Sequence, residues 1–182
     1  MGKIKIDNNA FVYPMPMTLV GSIVEGKVNF MAVGWISRVN FRPPLIAVGI
    51  GPHYTNKGIE DQKSFSVNVP NISLIEKTDY CGLVSGSKSD KSGIFTVFYG
   101  DLKGAPLIQE CPVCLACKLY ETVKLPSNTL FIGEIVEAFA DENVITDGKP
   151  DIEKINPFTL TMPDNNYWEV GNHLGKAWHL GK

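Results

Sequence analysis

What this 182-residue chain lacks narrows its chemistry before any motif is read. Seventeen basic and 19 acidic residues leave a formal net charge of -2, so there is no basic face for a polyanion and nucleic acid is not the expected ligand. No apolar run is long enough to cross a bilayer, and Met1-Gly2-Lys3-Ile4-Lys5 carries no secretory core; no membrane partner and a cytoplasmic location are expected. Without repeats, low-complexity tracts or linker-like stretches, residues 1–182 read as one domain. A nucleotide-binding glycine loop is missing too: Gly49-Ile50-Gly51-Pro52-His53-Tyr54 departs from G-x-G-x-x-G at the third glycine, and Pro52 removes a donor N–H.

The cysteines stop short of a metal site. Cys111, Cys114 and Cys117 follow the first part of a ferredoxin-type motif, but the fourth ligand position holds Glu121, and the remaining cysteine, Cys81, lies far upstream. On a strand, residues three apart point to opposite faces, which would set Cys114 against both Cys111 and Cys117. Buried free thiols in a reducing compartment are the expectation, and a cysteine-bound metal is the rival.

What is present is a series of short runs rich in β-branched and aromatic residues: Leu19 to Val24, Val28 to Trp35, Leu45 to Ile50, Phe65 to Val69, Cys114 to Tyr120 and Thr129 to Phe139. Glu25-Gly26-Lys27 is short enough to join the first two only as an antiparallel hairpin. Helices are expected over Asn56 to Gln62, with Thr55 as N-cap, and over Ile72 to Asp79, with a Ser73…Glu76 capping box or Asn71 as cap; a third is expected to start near Asp90. With 44% apolar residues the chain can fill a core without staples. The fold class is mainly β: a closed or nearly closed antiparallel barrel with a few helices outside it.

Two segments carry polar groups suited to a flat heterocycle bearing a phosphate. Asn29-Phe30-Met31-Ala32-Val33-Gly34-Trp35 sets small Ala32 among bulky neighbours, and Gly34 permits close backbone approach. Alternation sends residues 30, 32 and 34 to one face and 31, 33 and 35 to the other, so Phe30, Met31 and Trp35 have core packing as their alternative. For the phosphate, a helix N-terminus beside His53, Tyr54 and Thr55 faces an anion with its unpaired N–H groups. Ser85-Gly86-Ser87 adds two hydroxyls and a permissive glycine, and Lys91 follows at a spacing that can bring its ammonium to the same anion. The alternative for this second segment is a solvated loop, and for His53 a surface side chain.

Tyr13 to the C-terminus resembles the flavin reductase-like FMN-binding split-barrel family, in particular its flavoredoxin branch. The resemblance runs through residues 29–70, Asp79-Tyr80-Cys81-Gly82, Ser85 to Lys91, Gly104-Ala105-Pro106, Glu110-Cys111-Pro112, Thr129 to Glu134 and Tyr167-Trp168-Glu169-Val170-Gly171. It implies an antiparallel split β-barrel with non-covalently bound FMN. The ring would be lined by Asn29, Phe30, Met31, Ala32 and Trp35, and the phosphate held by His53, Tyr54, Thr55, Ser85, Gly86, Ser87 and Lys91. It implies no catalytic side chain, since the cofactor carries the redox chemistry. Two activities compete: a flavoredoxin that relays electrons between protein partners, and a reductase that takes hydride from NAD(P)H and releases reduced flavin. A non-enzymatic β-barrel binding module is the rival from another class. The aromatic tail 167–182 packs on its own barrel or on a second subunit; the resemblance implies a homodimer and favours the second, with Trp168 and Trp178 as contact anchors.

Overall fold

The computed structural model describes residues 2–181, so Met1 and Lys182 of the expected domain and tail lie outside it. Fourteen strands are described: β1 (Met15–Pro16), β2 (Thr18–Val24), β3 (Lys27–Val33), β4 (Ile36–Asn40), β5 (Leu45–Ile50), β6 (Ser64–Val69), β7 (Val97–Phe98), β8 (Leu107–Ile108), β9 (Val113–Lys124), β10 (Thr129–Ala140), β11 (Ile145–Thr146), β12 (Lys149–Pro150), β13 (Phe158–Thr161) and β14 (Asn166–Glu169). The α-helices are α1 (Tyr54–Gln62), α2 (Ile75–Leu83) and α3 (Ile152–Ile155).

Seven strands form one antiparallel sheet in the order β3-β2-β6-β9-β10-β5-β4. The β2–β3 hairpin turns at Glu25 (φ 52°) and Gly26 (φ 80°), the paired positive φ values of a type I′ turn, whose twist matches that of the strands it joins. Register shifts at Ile132/Gly133 and Ile135/Glu137 interrupt the long β9–β10 ladder; such bulges sharpen bend and twist, and they help the sheet curl. The end strands β3 and β4 do not pair. The sheet is therefore a split barrel, open along the seam between β3 and the β4 margin, where the end of β5 runs past β4.

Alternation along the strands makes two cores. Val20, Met31, Val33, Val48, Phe65 and Phe131 fill the barrel, with Ile59 of α1 packed among them. Leu19, Phe30, Cys114 and Ala116 point to the other face, where α2 and the 94–111 segment cover them with Cys81, Phe95 and Leu107. Burying one such large side chain contributes about 1.5–3 kcal/mol over leaving it in water.

The helices hold the site's walls. Gly58 lets α1 lie directly on β2, since a Cβ there would come within 2.8 Å of the Ile23 carbonyl oxygen. His53 occupies the N-cap position of α1 without a side-chain capping bond; Thr55, the expected cap, is the second residue of the helix and buried. Residues Ile72–Leu74 form a 3-10 turn leading into α2, and the cap is Asn71, whose Oδ1 accepts from Ser73 N and Ser73 Oγ, so the Ser73…Glu76 box does not form. No helix starts at Asp90. Its carboxylate accepts from Ser92 N, a local turn that competes with helix and wins.

Candidate functional site

Three contiguous cavities run along the outer edge of β3. The first, about 530 Å³, fills the seam, between Met31, Ala32 and Trp35 on one side and Gly49, Leu83 and Tyr167 on others. The second, about 270 Å³, shares Ala32, His53 and Gly82 with it and adds Thr55, Ser85 and Lys91. The third, about 320 Å³, shares Tyr54, Gly86 and Lys91 with the second and reaches Asn29, Lys27 and Ser87. Together they make a groove that is apolar at one end and charged at the other.

At the seam, β3 ends at Val33 and strict alternation ends with it. Trp35 accepts from Gly49 N through its carbonyl at 2.8 Å, and its indole, 45% exposed, lies along the opening near Phe11. The β1–β13–β14 sheet closes the far side with Leu160 and Met162, and Tyr167 reaches from β14 to α2, donating to Asp79 Oδ1 at 2.8 Å. Burial, then the Asp79 carboxylate, push the Tyr167 phenol up to about 12. The edge of β3 supplies backbone groups. An antiparallel edge strand turns alternate peptides outward. Phe30's carbonyl is one of these, since it accepts from Lys91 rather than from a strand, so the N–H and C=O of Ala32, two residues on, share its direction into the groove.

At the polar end, Asn29 is buried and donates from Nδ2 to Thr55 Oγ1 at 2.8 Å, joining β3 to α1. Its Oδ1 is buried without a partner. The backbone of Gly86 lies against it so closely that a Cβ would overlap Oδ1. Ser85 and Ser87 share a hydroxyl hydrogen bond of 2.9 Å, which fixes the loop. The hairpin tip spans the rim: Glu25 meets Lys57 at 2.7 Å and Tyr54 at 3.0 Å, and Lys27 meets Asp90 at 2.9 Å. Ser92 and then Lys27 hold the Asp90 carboxyl well below the usual range; Lys57 and Tyr54 lower Glu25.

Of the residues expected at the site, all but Phe30 border one of the three cavities. Phe30 does not: its ring is fully buried edge-on against Phe95, 5.5 Å between centroids, and its carbonyl accepts from Lys91. Lys91 borders the groove, but its ammonium folds inward, bonding the carbonyls of Phe30 and Cys81 at 2.9 Å each rather than the Ser85–Ser87 loop. Tyr167, Asp79, Lys27 and Leu160 escaped sequence reasoning. Lys27 stands two residues before Asn29 on β3, Asp79 and Tyr167 fall in segments that carry the family resemblance, and only the fold brings these and Leu160 to one groove.

The cysteines form no centre: among the described residues no group of three His, Cys, Asp or Glu side chains could hold a metal, and all four thiols are free and buried. Cys114 and Cys117 do face opposite cores, but Cys111 sits in the turn before β9 and joins Cys114 on the same side, against the strand-based expectation. Burial pushes Cys81 up to about 11 and Cys114 and Cys117 up to about 12.

This arrangement has relatives. Residues 10–167 match the flavin reductase like domain. The chain belongs to that family. A flavoredoxin from Methanosarcina acetivorans is 55% identical, with a TM-score of 0.98 over 100% of this chain and 98% of that one. A flavoredoxin of Desulfovibrio vulgaris is 33% identical, with a TM-score of 0.90 over 98% of this chain and 100% of that one. A protein of Archaeoglobus fulgidus is 34% identical over 145 residues, 78% of this chain and 81% of its own length.

Proposed function

We propose that this chain binds FMN without a covalent bond in the β3 groove and acts as a flavoredoxin-type electron carrier. The observation that carries the reading is the Asn29–Gly86 cradle: a buried, unpartnered amide oxygen beside a backbone that tolerates no Cβ, at the junction of an apolar slot and a polar pocket. A buried polar atom left unpaired costs roughly 1–3 kcal/mol, and a polyol chain is a partner that removes the penalty. The residues fit the cofactor on both sides. Ala32's outward peptide and the walls formed by Met31 and Trp35 suit a planar ring with polar edges, while the α1 N-terminus, the Ser85–Ser87 loop and Lys27 suit a phosphate.

FMN, when bound, supplies hydride and single-electron chemistry. The protein orients and shields. The buried Asn29–Thr55 bond fixes the pocket wall, Trp35 screens part of the seam from water, and no side chain has to pass a proton for an electron to move. Because the indole covers the seam only partly, a protein partner or NAD(P)H has access to it.

The reductase reading, in which NAD(P)H reduces flavin that then leaves, draws support from the rim. Its ion pairs are exposed, and exposed pairs hold weakly. Stopped-flow reduction of the purified yellow protein decides between the two: a carrier keeps one bleached FMN per chain, whereas rapid turnover of added free flavin by NADH or NADPH removes the carrier reading. A colourless protein that cannot be reconstituted with FMN removes both.

Two further parts of the reading concern assembly and place. Leu174 and Trp178, each 90% exposed, project from a tail that forms no strand after Glu169, and covering them is a role for a second copy in a homodimer. Trp168, by contrast, is tied to its own sheet through Nε1 and Thr161 Oγ1 at 2.9 Å. Four free thiols suit a reducing cytoplasm, and no described helix is long and apolar enough to cross a membrane. Sedimentation of the full chain against a variant cut after Gly171 tests the dimer; an unchanged mass refutes the tail's part in it.

A further inference from the structure

Cys111 and Cys114 form a thiol pair that the groove leaves unused. Both border one cavity of about 200 Å³, which shares no lining residue with the three groove cavities. The chain bends there. Cys111 N donates to the Ile108 carbonyl at 3.2 Å, and the Cys114 thiol reaches back to the carbonyls of Ile108 at 3.2 Å and Cys111 at 3.5 Å. Asp141 N, donating to the Pro112 carbonyl at 3.0 Å, holds the bend against the end of β10. The two thiols are therefore neighbours on one side of β9. The other two are not placed to join them: Cys117 is in the barrel core, and Cys81 stands on α2, bordering the groove.

The cavity sets what can reach the pair. Its walls include the Phe98 and Phe139 rings, packed edge to face with 5.5 Å between centroids, a surface against which sulfur packs favourably. Gln109 and Ala140 on its rim are exposed, so solvent meets a site whose cysteines are themselves only 3% and 2% exposed. At about 200 Å³ it is smaller than the usual pocket for a drug-sized molecule, which suits short aliphatic arms and not a peptide. The fixed charges are acidic, Asp141 on the wall and Glu110 in the bend, and no basic side chain lines the cavity. Burial pushes the Cys114 thiol up to about 12; burial, then Cys114, Glu110, Asp141 and Cys81 from α2, push Cys111 further. Cys114 is thus the thiol that ionises first.

We propose that Cys111 and Cys114 are a dithiol site that reacts with short, neutral or cationic aliphatic disulfides and closes to an intramolecular disulfide. The Cys114 thiolate attacks one sulfur of the incoming disulfide, expelling one thiolate and leaving a mixed disulfide on Cys114. The Cys111 thiol then loses its proton and attacks the Cys114 sulfur, expelling the second thiolate. The two expelled thiolates take up the two protons released. The cysteine pair loses two electrons and the incoming disulfide gains them, so no flavin takes part, and the site stands independently of the FMN reading.

The test uses the full chain, reduced, freed of reductant and exposed anaerobically to cystamine, a short cationic disulfide. Intact mass should fall by two hydrogens, peptide mapping should place the bond between Cys111 and Cys114, and dithiothreitol should restore the starting mass. The rate should rise about tenfold from pH 7 to pH 8, as it does when a thiolate present in small fraction is the nucleophile. Corrected for each reagent's reactivity with a free thiol, cystamine should outrun oxidised glutathione, a bulky anionic disulfide, by about tenfold or more. Cys111→Ser should stop with one cysteamine on Cys114, and Cys114→Ser should take up cysteamine far more slowly. If a variant fails to fold, the wild-type map and rates decide alone. A bond or adduct found first on Cys81 or Cys117, a rate flat in pH, or equal corrected rates for the two reagents overturns the proposal. So does a folded chain that stays reduced under conditions that oxidise the unfolded one.

Discussion

The two ends of the groove are built by different physics. The seam end is made of regular strands: Met31 and Ala32 stand on β3, Gly49 and Ile50 on β5, and the polar groups are backbone peptides whose directions the sheet fixes. The polar end is made of a loop, a helix start and a hairpin tip, and exposed side-chain pairs stitch it together across the rim. A slot cut from a sheet is rigid without added cost, because the core packing that makes the barrel also makes the slot. A pocket assembled from loops needs an anchor, and the buried Asn29–Thr55 bond is that anchor.

The sharpest separation of the ends from the core beneath them is Phe30→Ala. It should cost about 3–5 kcal/mol of stability, read by urea unfolding, because it empties a fully buried site against Phe95; FMN affinity per folded molecule should change far less. Gly86→Ala comes next and inverts that pattern. Folding should survive, since Gly86 is on a surface loop, but the added Cβ displaces Asn29 Oδ1, and FMN binding, followed by fluorescence quenching, should weaken about a hundredfold, or about 2.7 kcal/mol. Trp35→Ala should weaken FMN by up to about tenfold and shift the melting temperature little, because the half-exposed indole packs on the seam more than in the core. Smallest is the rim: Asp90→Asn should change the FMN dissociation constant by less than about threefold, and raising salt should erase the difference. A large Asp90→Asn effect at high salt would break the comparison, since it would make the rim part of the anchor.

Much of the seam end was legible in the sequence, because strand alternation is a physical period and β3 obeys it up to Val33. Trp35 turns to the groove only because the strand stops before it. The polar end was legible as composition but not as geometry. Ser85, Gly86 and Ser87 do line the pocket, yet nothing local says that Lys91 folds inward to two carbonyls instead of reaching the loop, or that Asp90 closes a turn on Ser92 rather than opening a helix. Thr55 illustrates the same limit: its residue type suits a cap, but tertiary packing gave it to Asn29. Contacts such as Tyr167–Asp79 join segments 88 positions apart and leave no trace in either.

The free edge of β3 has a cost when the groove is empty. A strand with outward, unpaired peptides around Ala32 is a template for another chain's strand, and the one charged side chain of β3, Lys27, stands at its hairpin end, whereas Arg38 sits mid-strand on β4 at the opposite margin. A ligand seated there doubles as a gatekeeper against self-association, so protein stripped of its ligand should be the form that precipitates on storage.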